Sequence, residues 1–264
     1  DADYELINNS LRGTANRIDT VKVTFIEGET VETYARKLEE NNVCSAADFL
    51  KAVNEADFTN YSFIKAIPNA QDRAYLLEGY LFPDTYEFYT NSSGESVVRK
   101  FLDNFNARVD TSLKAAIKAR GMTIDQAVIL ASIIQGEAAD TDNMNKVSRV
   151  LQNRLENPGT YPRLECDSTS SYAKNMVPGE GGGAVFVKAY DTYEREGLPV
   201  GPINNPGLDA IRAVVEPSED EEIKQCYFFA TAYIDEVPHY FYSKTYAQHK
   251  KTCEKYGIGI HAKS

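Results

Sequence analysis

The chain has 264 residues, 42% of them hydrophobic and 25% charged, with a formal net charge of −11. That is enough chain to bury a sizeable core, in one large domain or a main domain plus a small one. The negative balance excludes the basic surface that nucleic-acid phosphates require and disfavours docking on anionic lipid, and no run of about 18 apolar residues is available to span a membrane.

Residues 1–19 read as an N-terminal extension without initiator Met or signal peptide, as expected of a trimmed chain or of a mature ectodomain. Val21-Lys22-Val23-Thr24-Phe25 alternates and is β-rich, which predicts a strand. Thr30 is placed to cap a helix carrying Val31, Ala35 and Leu38 at i, i+4 and i+7. Ser45-Ala46-Ala47-Asp48 resembles a capping box, opening a second helix with Phe49, Leu50 and Val53 turned inward. Together they predict a compact α+β unit over about residues 20–70. The stretch from Leu77 to Tyr86 is aromatic-rich and broken by Gly79 and Pro83, so an ordered loop or short strand is expected.

Val98, Phe101, Leu102, Phe105, Val109, Leu113 and Ile117 predict helix from Glu95 to about Arg120, interrupted near Asp110. Helices are also predicted over about 123–138 and 144–155. Residues 157–206, rich in Gly, Pro, Ser and Asn, read as loops with short strands. Within them Gly181-Gly182-Gly183 reads as a turn, since it lacks the Lys and Ser/Thr of a phosphate-binding loop. A helix at about 207–215, a hairpin pairing 226–232 with 239–242, and a helix over about 245–256 complete the chain. Cys44, Cys166, Cys226 and Cys253 are scattered without a CxxC pair, which argues against a zinc ribbon and leaves their pairing open.

The helix over 123–138 carries the chemistry candidate. At about 100° per residue, Asp125, Ser132 and Gly136 share one side, while Glu137 falls with Leu130, Ile133 and Ile134. A carboxyl at the C-terminal end of an apolar helix is poorly solvated, and desolvation and the negative end of the dipole both favour its protonated form. Such an acid can protonate a leaving glycosidic oxygen. The competing possibility, Glu137 exposed at a fraying end or salt-bridged to Arg149 or Arg154, stays open at this point. His239 and His249 lack metal-ligand spacing, no GxSxG is present, and neither metal nor cofactor is expected. The 17 tyrosines suit a stacking ligand such as a sugar, although most tyrosines are ordinary core and surface residues.

Over about residues 20–250 the chain resembles the endolytic murein transglycosylases, the MltG or YceG-like family. Glu78-Gly79-Tyr80-Leu81-Phe82-Pro83-Asp84-Thr85-Tyr86 is similar to the family's EGYLFPDTY signature, and Leu130-Ala131-Ser132-Ile133-Ile134-Gln135-Gly136-Glu137 to its LASIIxxE helix. Asn153-Arg154-Leu155 matches the NRL that follows. Tyr190-Asp191-Thr192-Tyr193 and the run from Gly197 to Gly207 resemble the YNTY and GLPPGPIxNPG block. Two positions depart from the pattern: Gln135 stands where many members carry a second acid, and Asp167-Ser168-Thr169 replaces Asp-Pro-Thr.

The resemblance implies an α+β protein: a LysM-like module over 20–75 ahead of a mixed α/β lytic transglycosylase domain over 76–264. It implies cleavage of the MurNAc–GlcNAc bond inside peptidoglycan glycan strands, leaving a 1,6-anhydro end. It places the protein on the extracytoplasmic face of the plasma membrane, held by an anchor outside this chain, with cell-wall synthesis proteins as partners. The family's catalytic Glu maps onto Glu137, and Asn153, Arg154, Asp167, Thr169, Tyr193, Asn205 and His239 are expected to line the cleft. Two readings compete: a hydrolytic muramidase, in which Asp167 is the obvious second carboxylate, and a non-catalytic peptidoglycan-binding scaffold.

Overall fold

The computed structural model describes residues 19–175 and 183–259. Strand β1 (Thr20–Thr24) leads into α1 (Val31–Glu40) and α2 (Ala46–Glu55). Both helices start where the sequence places their caps, with the Thr30 side chain accepting from the Thr33 N–H and the Ser45 side chain from the Asp48 N–H. The reciprocal half of a capping box is not formed at Ser45. The Asp48 carboxylate instead accepts from the Gly94 N–H at 2.6 Å, tying α2 to a later helix. After the short α3 (Ser62–Lys65), the Leu77–Tyr86 stretch forms turns that end in strand β2 (Thr85–Tyr89).

Strand β2 pairs antiparallel with β1, Val23 opposite Tyr86 and Val21 opposite Phe88. Backbone pairing therefore crosses the expected 75/76 division. Packing crosses it too: α4 (Gly94–Arg108) lies on α2, and Phe101 sits 4.9 Å from Phe25 and 4.5 Å from Tyr86 between ring centroids. A single hydrophobic cluster continues from Val23 to Val214.

The predicted break in the long helical pattern is a helix boundary. Asp110 is the N-cap of α5 (Thr111–Ala119), its side chain accepting from the Leu113 N–H. The Thr123 capping box then opens α6 (Ile124–Glu137). Residues Ala127 to Ile134 of α6 are all buried, as expected of a helix apolar around its circumference. It is wrapped by α5, α7 (Thr141–Leu155), α8 (Asp167–Asn175) and α10 (Leu208–Val215). The polar side seen in the sequence is also buried, because its groups find partners there. Asp125 is ion-paired with Arg73, and Ser132 donates to the Ile129 carbonyl and accepts from the Ile203 N–H.

The expectation of loops with short strands over 157–206 is corrected. The described part of that stretch holds α8 and α9 (Gly183–Tyr190) and no strand. Its described Ser168 and Ser170 lie in the first turn of α8, and Gly159, Gly197, Gly201, Asn204 and Asn205 lie in connections. Residues 181 and 182 of the glycine patch lie outside the described residues, and Gly183 begins α9. The hairpin is β3 (Phe228–Ile234) with β4 (Val237–Ser243), followed by α11 (Tyr246–Tyr256), capped by Thr245. The four cysteines are free and buried. No described helix is long and apolar enough to cross a membrane.

Candidate active site

Glu137 is the last residue of α6, and its carboxylate meets the first turn of α8. The Ser168 hydroxyl donates to Glu137 Oε1 at 2.6 Å and the Ser168 N–H donates to the same oxygen at 3.1 Å. The approach depends on Gly136: a Cβ there would lie 2.8 Å from Ser168 Cβ, closer than real contacts come. Helix first turns present N–H groups without intrahelical partners, and Glu137 satisfies one of them.

Burial pushes the Glu137 carboxyl above the usual carboxylate range. The two Ser168 donors oppose the shift and the neighbouring Asp167 charge adds to it. The C-terminal end of α6 acts in the same direction as burial. The alternative of an ion-paired Glu137 does not hold, because Arg149 pairs with Glu219 and Arg154 with Glu165.

Glu137 opens on a cavity of about 180 Å³. Its wall includes Cys166 and Asp167 at the start of α8, Arg154 from α7, Tyr193, the run from Tyr227 to Thr231 that enters β3, and Tyr246, His249 and Cys253 from the C-terminal helix. A second cavity of about 760 Å³, lined by Tyr161, Arg163, Lys174, Asp191 and Glu194 among others, shares Arg154, Glu165 and Tyr193 with the first. Both linings mix polar and aromatic side chains. Tyr161 of the second cavity and Tyr227 of the first stack at 4.4 Å between centroids.

Three of the expected cleft residues join Glu137 on this wall. Asp167 lies beside it and accepts from the Tyr193 hydroxyl at 2.8 Å. Arg154 is engaged with the protein: it donates to the Arg163 and Tyr227 carbonyls at 2.9 and 3.1 Å and to Glu165 at 2.5 Å. Its guanidinium lies 5.4 Å from the ring centroids of both Tyr161 and Phe228. It thus ties two segments, 161–165 and 227–228, to α7.

The other four are elsewhere. Asn153 is buried behind the wall, donating to the Lys224 and Cys226 carbonyls at 3.0 and 2.9 Å, so it anchors the approach to β3. Thr169 is fully buried between the Cys166 carbonyl and Thr192. Asn205 is fully buried and bonded to Gly79, Leu81, Glu78 and Glu29. His239 is exposed on β4 opposite Ala232 and does not line the cavity. Gln135 accepts from the Gly207 N–H at 3.0 Å, tying α6 to the cap of α10.

Sequence reasoning missed Ser168 as a partner of Glu137. It noticed that position only as a replaced proline, although a serine in a helix first turn is a standing source of two donors. It also missed His249, which stacks on Phe228 at 5.4 Å and whose pKa is lowered by burial and then by the Arg154 charge. Nothing in its spacing along α11 distinguishes it.

The profile of the YceG-like family matches residues 2–255. An endolytic murein transglycosylase of Bacillus subtilis (strain 168) is 27% identical over 248 residues, covering 89% of this chain and 65% of that protein. An endolytic murein transglycosylase of Streptococcus pneumoniae serotype 2 (strain D39) is 26% identical over 230 residues, covering 79% of this chain and 40% of that protein. The chain thus spans less than two thirds of the length of these relatives. The 2.6 Å crystal structure of a YceG-like protein from Listeria monocytogenes superposes with a TM-score of 0.72 at 25% identity, over 94% of this chain and 80% of that one.

Proposed function

The chain belongs to the YceG-like family, and from that premise we propose that it is an endolytic murein transglycosylase acting within peptidoglycan glycan strands. The observation that carries the proposal is Glu137, a carboxyl pushed toward its protonated form at the floor of a cleft. Protonated Glu137 gives its proton to the glycosidic oxygen and the bond from that oxygen to the muramic C1 breaks. The muramic C6 hydroxyl attacks C1 and returns its proton to the Glu137 carboxylate. One C–O bond is lost, one is formed within the sugar, the acid is regenerated and no water enters. The sugar supplies the nucleophile, so no second carboxylate is required, and no metal or cofactor takes part.

Burial fits the first step, because a solvated carboxyl would be ionised at neutral pH. Two neighbouring cavities that share wall residues suit a polymer more than a small molecule, and the stacked Tyr161–Tyr227 pair offers its outer ring faces to sugars. Arg154 and Tyr193 hold the wall in place, and Asp167 is positioned to touch the substrate. Asn153, Thr169 and Asn205 act through the backbone they fix. For residues 20–75 we keep the LysM-like reading, supported by the strand β1 followed by the two capped helices α1 and α2. We also place the protein on the outer face of the membrane, with an anchor and cell-wall synthesis partners outside this chain.

Mass analysis of products from purified glycan strands tests the activity. The 1,6-anhydro product is lighter than the hydrolytic one by one water. A product at the hydrolytic mass would replace the transglycosylase with a muramidase, and no release from intact strands would favour a scaffold.

A further inference from the structure

We propose that Ser168 is a positioning residue. Through its hydroxyl and its backbone N–H it holds Oε1 of Glu137 against the first turn of α8, and so leaves Oε2 as the oxygen that gives and takes the proton. The inference rests on the proposed transglycosylase reading for what the proton is used for, but the clamp itself is a property of the folded chain.

Both hydrogen bonds end on one oxygen, at 2.6 and 3.1 Å. Among the described residues none donates to Oε2, and Glu137 lines the cavity, so Oε2 is the atom left to meet a ligand. A carboxyl that serves first as acid and then as base must be reachable in both protonation states. Burial and the Asp167 charge alone favour the protonated form. The Ser168 donors favour the carboxylate, because hydrogen bonds to the charged form stabilise it. Ser168 therefore opposes the burial and lets the carboxylate form after proton donation. The other titratable groups facing Glu137 are Asp167, the buried Cys166 thiol and the Tyr193 and Tyr240 phenols, and burial pushes the thiol and both phenols above their ordinary values. In the described geometry none of them donates to Glu137: the Tyr193 hydroxyl donates to Asp167 and the Tyr240 oxygen accepts from the Ala139 N–H. Gly136 has no Cβ to keep α8 away, so α6 is built to accept the contact.

The test is a carboxyl titration. The protein is labelled with 13C at glutamate carboxyls, and the Glu137 resonance is assigned by its loss in Glu137→Gln. Wild type is compared with Ser168→Ala, which lacks the hydroxyl, with Ser168→Pro, which lacks both donors yet suits a helix first turn, and with Ser168→Thr, which keeps both. The expected result is a midpoint raised by about one pH unit in Ala, raised further in Pro and unchanged in Thr. The alkaline limb of the rate profile on glycan strands moves with it. Coincident midpoints in all four proteins would overturn the proposal, as would a rate loss equal at every pH with no shift of the limb. Raised midpoints together with no anhydro product from wild type would sink the transglycosylase reading and leave the clamp standing.

Discussion

Asn205 donates to Glu78 Oε1 at 3.0 Å across 127 positions of chain. The same carboxyl accepts from the Val31 N–H at 3.0 Å, at the start of α1, and from the Tyr172 hydroxyl at 3.2 Å, on α8. A fully buried glutamate thus joins the N-terminal unit, the loop before α10 and α8, whose first turn meets Glu137. Burial pushes its pKa up to about 8, against the pull of the three donors.

This relationship predicts a stability that declines with pH. The folded pKa of about 8 lies above the ordinary carboxylate value, so between the two the native state binds the proton that the unfolded chain has lost. The contribution is whole below the unfolded value and is lost as pH rises through about 8. Denaturant unfolding of wild type should therefore weaken between pH 5 and 8, by up to about 1.4 kcal/mol per pH unit from this group. Glu78→Gln should flatten that dependence. Parallel curves for the two proteins would show that Glu78 does not carry it.

The Arg73–Asp125 pair sets a second expectation. The two side chains meet at 2.6 Å with almost no solvent access, and the Tyr80 hydroxyl donates to the other Asp125 oxygen at 2.5 Å. Asp125→Ala strands a buried guanidinium and a buried phenol, whereas Asp125→Asn retains an acceptor for one of them. Breaking a buried pair from one side costs about 3–5 kcal/mol. The urea midpoint should fall by that equivalent in Ala and by less in Asn, with the denaturant slope unchanged.

Gly136→Ala separates activity from stability. Alanine is favoured over glycine in a helix interior by about 1 kcal/mol, so the helix itself gains. The new Cβ, however, would lie 2.8 Å from Ser168 Cβ and must push α8 away from Glu137. A displacement of about 1 Å at a reacting group can lower a rate about a hundredfold. The expected outcome is a melting temperature within a few degrees of wild type and release of glycan product reduced by at least about tenfold. An unimpaired rate would mean that the close approach of α6 and α8 is not needed.

The sequence carried the helices whose caps are local, and missed α8 and α9. Thr30, Ser45, Asp110, Thr123 and Thr245 each accept from a backbone N–H three residues on; Asp110, expected as an interruption, is the cap between α4 and α5. The helical period marked Glu137 only as an apolar-flanked carboxyl at a helix end, and the resemblance to the family singled it out. What depends on distant chain was not legible. The pairing of β1 with β2 needs residues more than 60 positions apart, so the strand closing the N-terminal unit lay beyond the expected division. Asp125 and Ser132 could be placed on one side of the helix but not given partners, because Arg73 and the Ile203 N–H are remote in sequence. Asn153, Thr169 and Asn205 carry the motifs but bond to the protein's own backbone and to buried side chains. A motif marks a position whose residue matters without distinguishing a ligand contact from a strut.

Paired substitutions at Glu137 and Asp167 distinguish the reaction types. Glu137→Gln keeps the size of the side chain and an oxygen for the Ser168 donors, but it cannot deliver a proton. Removal of a general acid lowers rates by about 10²–10⁴-fold, so release of anhydro product should fall by at least about a hundredfold while glycan binding, read by co-sedimentation, persists. Undiminished release by this variant would end the assignment of Glu137. Asp167→Asn discriminates further. In a transglycosylase the attacking oxygen is the sugar's own C6 hydroxyl, and Asp167 contributes its charge beside Glu137 and its hydrogen bond from Tyr193. Its replacement should cost about tenfold or less. In a hydrolase with two carboxylates, the second is nucleophile or base and its loss is as severe as that of the acid. Equal, severe losses in the two variants would therefore argue for hydrolysis, and a wide gap between them for transfer within the sugar.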